Sequence, residues 1–195
     1  MRCVPSFLSS PLRVALRWLA LLAALCGSAS VAAQGVELLA LRALKGDGEL
    51  TLDYHARLAL TPAIEDALKR GVPLYFVAQA AVYRNRWYWR DERVARVSRS
   101  WRVAYQPLTN TWRVGLGGLH QTHETLAEAL STASRSAGWK LAELSQIDPG
   151  SSYTIEFSYR LDTKQLPSPM QFGLGGPGGE WSVGVERVLK FEPQS

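Results

Sequence analysis

The sequence predicts a mainly β protein: an antiparallel β-sandwich, immunoglobulin-like or built on one curled sheet, with two short helices. Three observations lead there. Leu50, Leu52, Tyr54, Ala56, Leu58 and Leu60 alternate without a break, as do Tyr153, Ile155, Phe157, Tyr159 and Leu161. Apolar residues at every second position are what a strand with one buried face requires. Gly46-Asp47-Gly48 stands between residues 36–44 and the first of these runs and suits a tight hairpin connection. Helical spacing appears in two segments, each preceded by a threonine that can cap it. Many strands with few helices must bury their apolar faces against one another.

The first hairpin joins residues 36–44 to 49–60. Thr61-Pro62 then opens a helix, with threonine as N-cap and proline at the first helical position. Ile64, Ala67 and Leu68 form its apolar stripe, and Gly71 closes it. Val72-Pro73 restarts an extended segment over 74–82 that leads into an arginine-rich stretch. A turn at 106–110 precedes a strand over 111–116. Thr122 is placed to cap a second helix over about 123–135, with Leu126, Ala129, Leu130 and Ala133 inward and Gly138 ending it. Asp148-Pro149-Gly150 is a turn before the strand at 153–161. Leu166-Pro167-Ser168-Pro169 is extended, because each proline fixes its own φ and restricts its predecessor. A glycine-rich loop over 173–179 leads to a last strand over 181–191. Trp112, Trp139 and Trp181 lie among apolar neighbours and read as core.

Residues 1–33 read as a secretory signal peptide. Arg2, Arg13 and Arg17 form a basic leader, Trp18 to Cys26 a short apolar run, and Ser30-Val31-Ala32-Ala33 a small-residue exit. The apolar run is far short of the roughly 20 residues of a membrane-spanning helix. Cleavage after Ala33 makes the protein periplasmic with no membrane span; an uncleaved inner-membrane anchor is the alternative. Leu25 before Cys26 is not the small residue that lipid attachment wants. Both cysteines, Cys3 and Cys26, leave with this segment, so residues 34–195 hold no disulfide, thiolate nucleophile or thiolate zinc site. Three arginines and no acid leave too, so the formal charge of +5 overstates the basicity of what remains. Residues 34–195 are enough for one β-rich domain without covalent staples.

Charge is concentrated locally. Between Arg84 and Arg102 lie seven arginines against Asp91 and Glu92, interleaved with Trp87, Tyr88, Trp89 and Trp101. If the first strand of this stretch runs through to Trp89, its odd positions (Tyr75, Val77, Ala81, Tyr83, Trp87, Trp89) share an inward face. In the next strand Ala95, Val97, Trp101, Val103 and Tyr105 share one. For both sets to face one core, the loop must have odd length, because a one-residue slip flips the whole face. The expectation is a loop of three or five residues centred on Glu92. Trp89 would then oppose Ala95, Trp87 oppose Val97 and Tyr83 oppose Trp101. The outer face would carry Arg84, Arg86, Tyr88, Arg90, Arg96 and Arg102, the candidate binding residues. Asn85 and Arg99 would fall on the core side and need an edge or partners, and a bulge near 84–86 would relieve them. The plain structural alternative is a solvated face whose arginines pair with Glu37, Glu49 or Asp53.

Arginine suits an anion- or partner-binding face, since its planar fork binds carboxylates and phosphates bidentately and stacks on rings. Nucleic acid is excluded by export. His55, His120 and His123, with Glu124 beside the last, match no established zinc spacing. There is no Gly-x-Ser-x-Gly elbow, and Pro177 interrupts the glycines of 175–179 where a phosphate loop would need Lys-Ser/Thr and a helix. No catalytic residue, metal ligand or cofactor is expected.

Several short segments recur together as a set: Gly71-Val72-Pro73-Leu74-Tyr75-Phe76, Arg86-Trp87-Tyr88-Trp89, Tyr105-Gln106-Pro107-Leu108-Thr109, Leu126-Ala127-Glu128-Ala129-Leu130, Arg160-Leu161-Asp162-Thr163, Leu166-Pro167-Ser168-Pro169 and Trp181. The chain thereby resembles the bacterial domain-of-unknown-function family 4390, often labelled a proline-rich signal peptide protein. The resemblance implies an exported protein of Gram-negative bacteria with no established activity, often encoded beside a nitrogen-regulation-type sensor kinase. The expected function is non-catalytic: binding a protein partner such as a membrane sensor kinase through the Arg/Tyr face and the segment near Leu166. A carrier or sensor of an anionic envelope ligand is the alternative, and a hydrolase the third.

Overall fold

The computed structural model describes residues 35–88, 90–166 and 181–193. In chain order the elements are β1 (Gly35–Gly46), β2 (Glu49–Ala59), α1 (Pro62–Lys69), β3 (Leu74–Arg84), β4 (Glu92–Gln106), β5 (Thr111–Leu116), β6 (Leu119–His123), α2 (Leu126–Ala133), β7 (Arg135–Glu143), β8 (Tyr153–Leu161) and β9 (Gly184–Phe191). Asp47 and Gly48 connect β1 to β2 with φ of 50° and 77°, the left-handed backbone a two-residue hairpin turn requires. β7 pairs with the other side of β2, so the first sheet has the order β1-β2-β7. The second sheet has six antiparallel strands in the order β6-β5-β4-β3-β8-β9. The sandwich-like, mainly β architecture expected from alternation is what the chain adopts.

The inner faces follow the alternation. Leu50, Leu52, Tyr54 and Ala56 of β2 meet Leu74, Phe76, Ala78, Ala80 and Val82 of β3 and Tyr153, Ile155, Phe157 and Tyr159 of β8, all buried. Tyr54 crosses between the sheets, its ring 5.0 Å from Phe157, 5.8 Å from Tyr159 and 6.1 Å from Trp139. Its hydroxyl accepts from the Trp101 indole N–H at 3.2 Å, and burial raises its pKa. Tyr159 is wholly buried and donates to the Ala133 carbonyl at 2.9 Å; burial pushes its pKa well up. Each buried aromatic of this size contributes roughly 1.5–3 kcal/mol by leaving water.

α1 forms as its sequence predicts. The Thr61 hydroxyl accepts from the Ile64 N–H, Pro62 starts the helix, and Ile64, Ala67 and Leu68 are buried. α2 begins later than predicted. Its cap is Thr125, whose hydroxyl accepts from the Glu128 N–H at 3.2 Å, while Thr122 and His123 belong to β6, paired with Arg113 and Trp112. Gly138 does not end this helix. It lies inside β7, an element the sequence reading missed, with φ of 60° and its N–H donating to Asp53 Oδ1 at 2.7 Å. Trp112 and Trp139 are buried, and Trp181 is half-buried against the core. The prolines at 167 and 169 and the loop at 173–179 lie outside the described residues.

Candidate functional site

The β3–β4 hairpin holds the arginines, and its register differs from the expectation. β3 ends at Arg84, and the pairs are Phe76↔Trp101, Ala80↔Val97 and Val82↔Ala95. Odd residues of β3 therefore share a face with even residues of β4. The inward set of β3 is Leu74, Phe76, Ala78, Ala80 and Val82, not Tyr75, Val77, Ala81 and Tyr83. The reading of β4 holds: Arg96, Ser98, Ser100 and Arg102 face outward. β3 misled because, as an interior strand, it is apolar on both faces, and the aromatic run beyond it drew the strand too far.

Trp87 is not in the core. It is 94% exposed, with Tyr88 68% exposed beside it; Trp89 lies outside the described residues. The chain leaves the ladder at Arg84 and returns at Glu92, so residues 85–91 form a longer tip than the three or five expected. A bulge is present, but on β4: Val82 pairs with Ala95 while Tyr83 pairs with Arg93, leaving Val94 as the extra residue. Odd positions of β4 face inward, so without it Arg93 would enter the core; the insertion returns it to the outer side.

The six candidate residues do not form one patch. Arg84 ends the inward face of β3. Its Nε donates to the Tyr153 hydroxyl at 3.2 Å, and its guanidinium sits 5.9 Å from that ring centroid. It also faces Glu92 at 3.7 Å. Arg86 pairs with the same Glu92. Tyr88 and Arg90 belong to the tip, exposed. Arg96 and Arg102 face outward from the stem, and Arg96 Nη2 reaches Gln79 Oε1 at 3.5 Å. The acids Glu37, Glu49 and Asp53 do not serve these arginines; they hold Arg57, Lys140 and the Gly138 N–H. Arg99 does fall on the core side and does find partners. It donates to Ser136 Oγ at 2.7 Å and lies 5.4 Å over Trp139.

The tip is braced at its base and open at its apex. The Asn85 N–H donates to the Ser152 carbonyl at 2.9 Å, and its side-chain oxygen accepts from the Thr154 hydroxyl at 2.8 Å. Asp91 Oδ1 accepts from the Arg86 backbone N–H at 3.2 Å. The adjoining turn is also tied down: the Asp148 carboxyl lies below its usual pKa range because the Gly150 N–H and the Ser151 hydroxyl donate to it. Both acids of the tip are thus engaged, whereas Arg90 and Arg93 have no ion pair among the described residues. The Trp87 and Tyr88 rings stand edge to face, 5.0 Å apart at 71°.

A family model described as Domain of unknown function (DUF4390) matches residues 33–188. The chain belongs to that family. No curated protein and no solved structure matches it. The family description adds no site residue, so the site rests on geometry. Sequence reasoning missed Trp87 as a surface residue, and also the polar outer face of β8, whose Thr154, Glu156, Ser158 and Arg160 lie between the inward residues. The alternation that marked the inward set could have marked these too. His120 packs against Gly115, and His123 Nε2 is buried without a hydrogen-bond partner. No group of three or more His, Cys, Asp or Glu side chains able to hold a metal occurs among the described residues. No helix there is long and apolar enough to cross a membrane.

Proposed function

We propose that this member of the family is an exported, non-catalytic envelope protein that docks an acidic protein partner on the tip of the β3–β4 hairpin. The observation that carries the reading is Trp87, 94% exposed at the apex of a braced loop. A large indole in water is costly to keep, and tryptophan, tyrosine and arginine are the residues that dominate protein–protein binding energy. Trp87 and Tyr88 touch at the tip of a hairpin that also carries Arg90 and Arg93, which have no ion pair among the described residues, so an acidic, partly apolar surface is complementary. The outer-sheet grooves are not lined by Arg84, Arg86 or Tyr88, which favours a protein over a small anion at the tip. The signal-like leader supports a periplasmic setting. The periplasmic part of a membrane sensor kinase is the partner to test first.

A photo-crosslinking residue at position 88, used in cells and followed by mass spectrometry, tests this. The expected result is one acidic envelope protein, lost in the double variant Arg90→Glu, Arg93→Glu with the melting temperature unchanged. If position 88 captures nothing beyond what the fully exposed Leu108 captures, the tip is not a docking site.

A further inference from the structure

The six-stranded sheet has a second face, turned away from the core, and its side chains form an ordered surface. Across β9, β8, β3 and β4, register aligns Glu186, Ser158, Gln79 and Ser98 in one row. The next row is Val188, Glu156, Ala81 and Arg96, and the one before it Gly184, Arg160, Val77 and Ser100. On the two middle strands the small Ser158, Ala81 and Val77 each stand beside a longer polar neighbour, Gln79, Glu156 and Arg160 respectively. Adjacent strands lie about 4.8 Å apart, so Arg96 and Glu156 face each other across the Ala81 methyl over about 10 Å. Two hollows of about 770 and 570 Å³ open here and share Gln79, Ser158, Arg160 and Glu186, making one continuous trough.

Gly184 keeps that trough open. A Cβ there would lie 2.9 Å from the Arg160 Cβ and 3.3 Å from the Tyr159 carbonyl, so a side chain cannot stand beside Arg160 without displacing the sheet. The charged groups of β8 and β9 in these rows are also unspent. Arg160, Glu156 and Glu186 have no side-chain ion pair or hydrogen bond among the described residues.

We propose that this trough binds an uncharged saccharide chain. Sugar hydroxyls both donate and accept, and adjacent pairs of them match forked groups: guanidinium, carboxylate and primary amide. The trough offers all three, in Arg96 and Arg160, Glu156 and Glu186, and Gln79, with Ser98 and Ser158 between. The two signs of charge nearly balance, which disfavours a polyanion. An extended peptide binds a sheet by adding its backbone to an edge, which here would seat it beside β9 and not over the side chains of β3 and β8, interior strands whose backbone groups are already paired on both sides. Tyr83 lines one end and Trp181 the other, supplying rings on which a sugar face can stack.

The test is to titrate the full chain with maltotetraose, cellotetraose and chitotetraose, three neutral tetrasaccharides of different linkage or substitution, by chemical-shift perturbation. At least one should bind with a Kd of about 1 mM or tighter. That affinity should not change between about 50 and 500 mM salt, because no net charge is neutralised. Gln79→Ala and Glu156→Ala should each weaken it about tenfold, with unchanged melting temperatures, while Trp87→Ala leaves it intact. Silence from all three sugars at about 10 mM overturns the proposal. So does tighter binding of inorganic polyphosphate or an acidic tetrapeptide. Neither outcome touches the hairpin tip, whose variants are separate.

Discussion

In the stem of the β3–β4 hairpin, Arg99 lies between the sheets, donating to Ser136 and covering Trp139. At the tip, Arg90 and Trp87 are both exposed, although Trp112 and Trp139 are buried in the same sandwich. One hairpin therefore carries arginine inward in its ladder and tryptophan outward at its tip, the reverse of what composition suggests. The difference is one of partners. Arg99 has a hydroxyl and an indole face to replace its water, so its desolvation is offset. Among the described residues Trp87 has only Tyr88 as a ring partner, and it packs against no part of the core. A side chain that the fold does not use, held on a braced loop, is available for something outside the molecule.

The comparison can be broken most forcefully from the core side. Phe76→Ala, which removes a fully buried ring stacked 6.1 Å from Tyr159, should cost about 3–5 kcal/mol in urea unfolding. Arg99→Ala should cost about 2 kcal/mol, since a hydrogen bond from a charged donor and a ring contact go together. A loss near zero would mean that Arg99 belongs with the tip arginines. Tyr159→Phe should cost about 1 kcal/mol at neutral pH, leaving the Ala133 carbonyl without its donor.

That last variant also has a pH signature. The folded state raises the pKa of Tyr159 above 10.0, so the folded form holds the phenol proton more tightly than the unfolded chain does. The stabilisation is complete below the unfolded value and is lost as pH rises through the folded one. The deficit of Tyr159→Phe should therefore shrink in melts above about pH 10. Trp87→Ala should have the smallest effect, within about 0.5 kcal/mol of the parent. A cost of several kcal/mol would return that indole to a structural role.

Strands with one polar face were legible in the sequence. β2, β8 and β4 alternate cleanly, and Arg96, Ser98, Ser100 and Arg102 point as their spacing says. β3 was not legible, because its outward residues include Tyr75, Val77 and Ala81 and so provide little contrast. Gln79, the one polar residue in the odd series against an unbroken apolar even series, was the available signal. β7 escaped because Ser136 and Gly138 interrupt its pattern, and Gly138 resembles a helix stop. Thr122 and Thr125 both qualify as caps on local grounds. Pairing of Thr122 with Arg113, a non-local event, decides between them. The candidate site was legible only in part: Arg96 and Arg102 face outward as their spacing says, whereas Arg84 ends the inward face of β3, and Arg86, Tyr88 and Arg90 belong to a tip longer than the spacing implied.

Val94 has a practical consequence. Since the hairpin corrects its phase inside the ladder, before the chain departs at Arg84, the pairing of Leu74 to Val82 does not depend on how many residues the tip contains. Segment 85–91 could be exchanged for a foreign loop of another length with the sandwich unaltered, making this hairpin a natural graft point for peptides to be displayed.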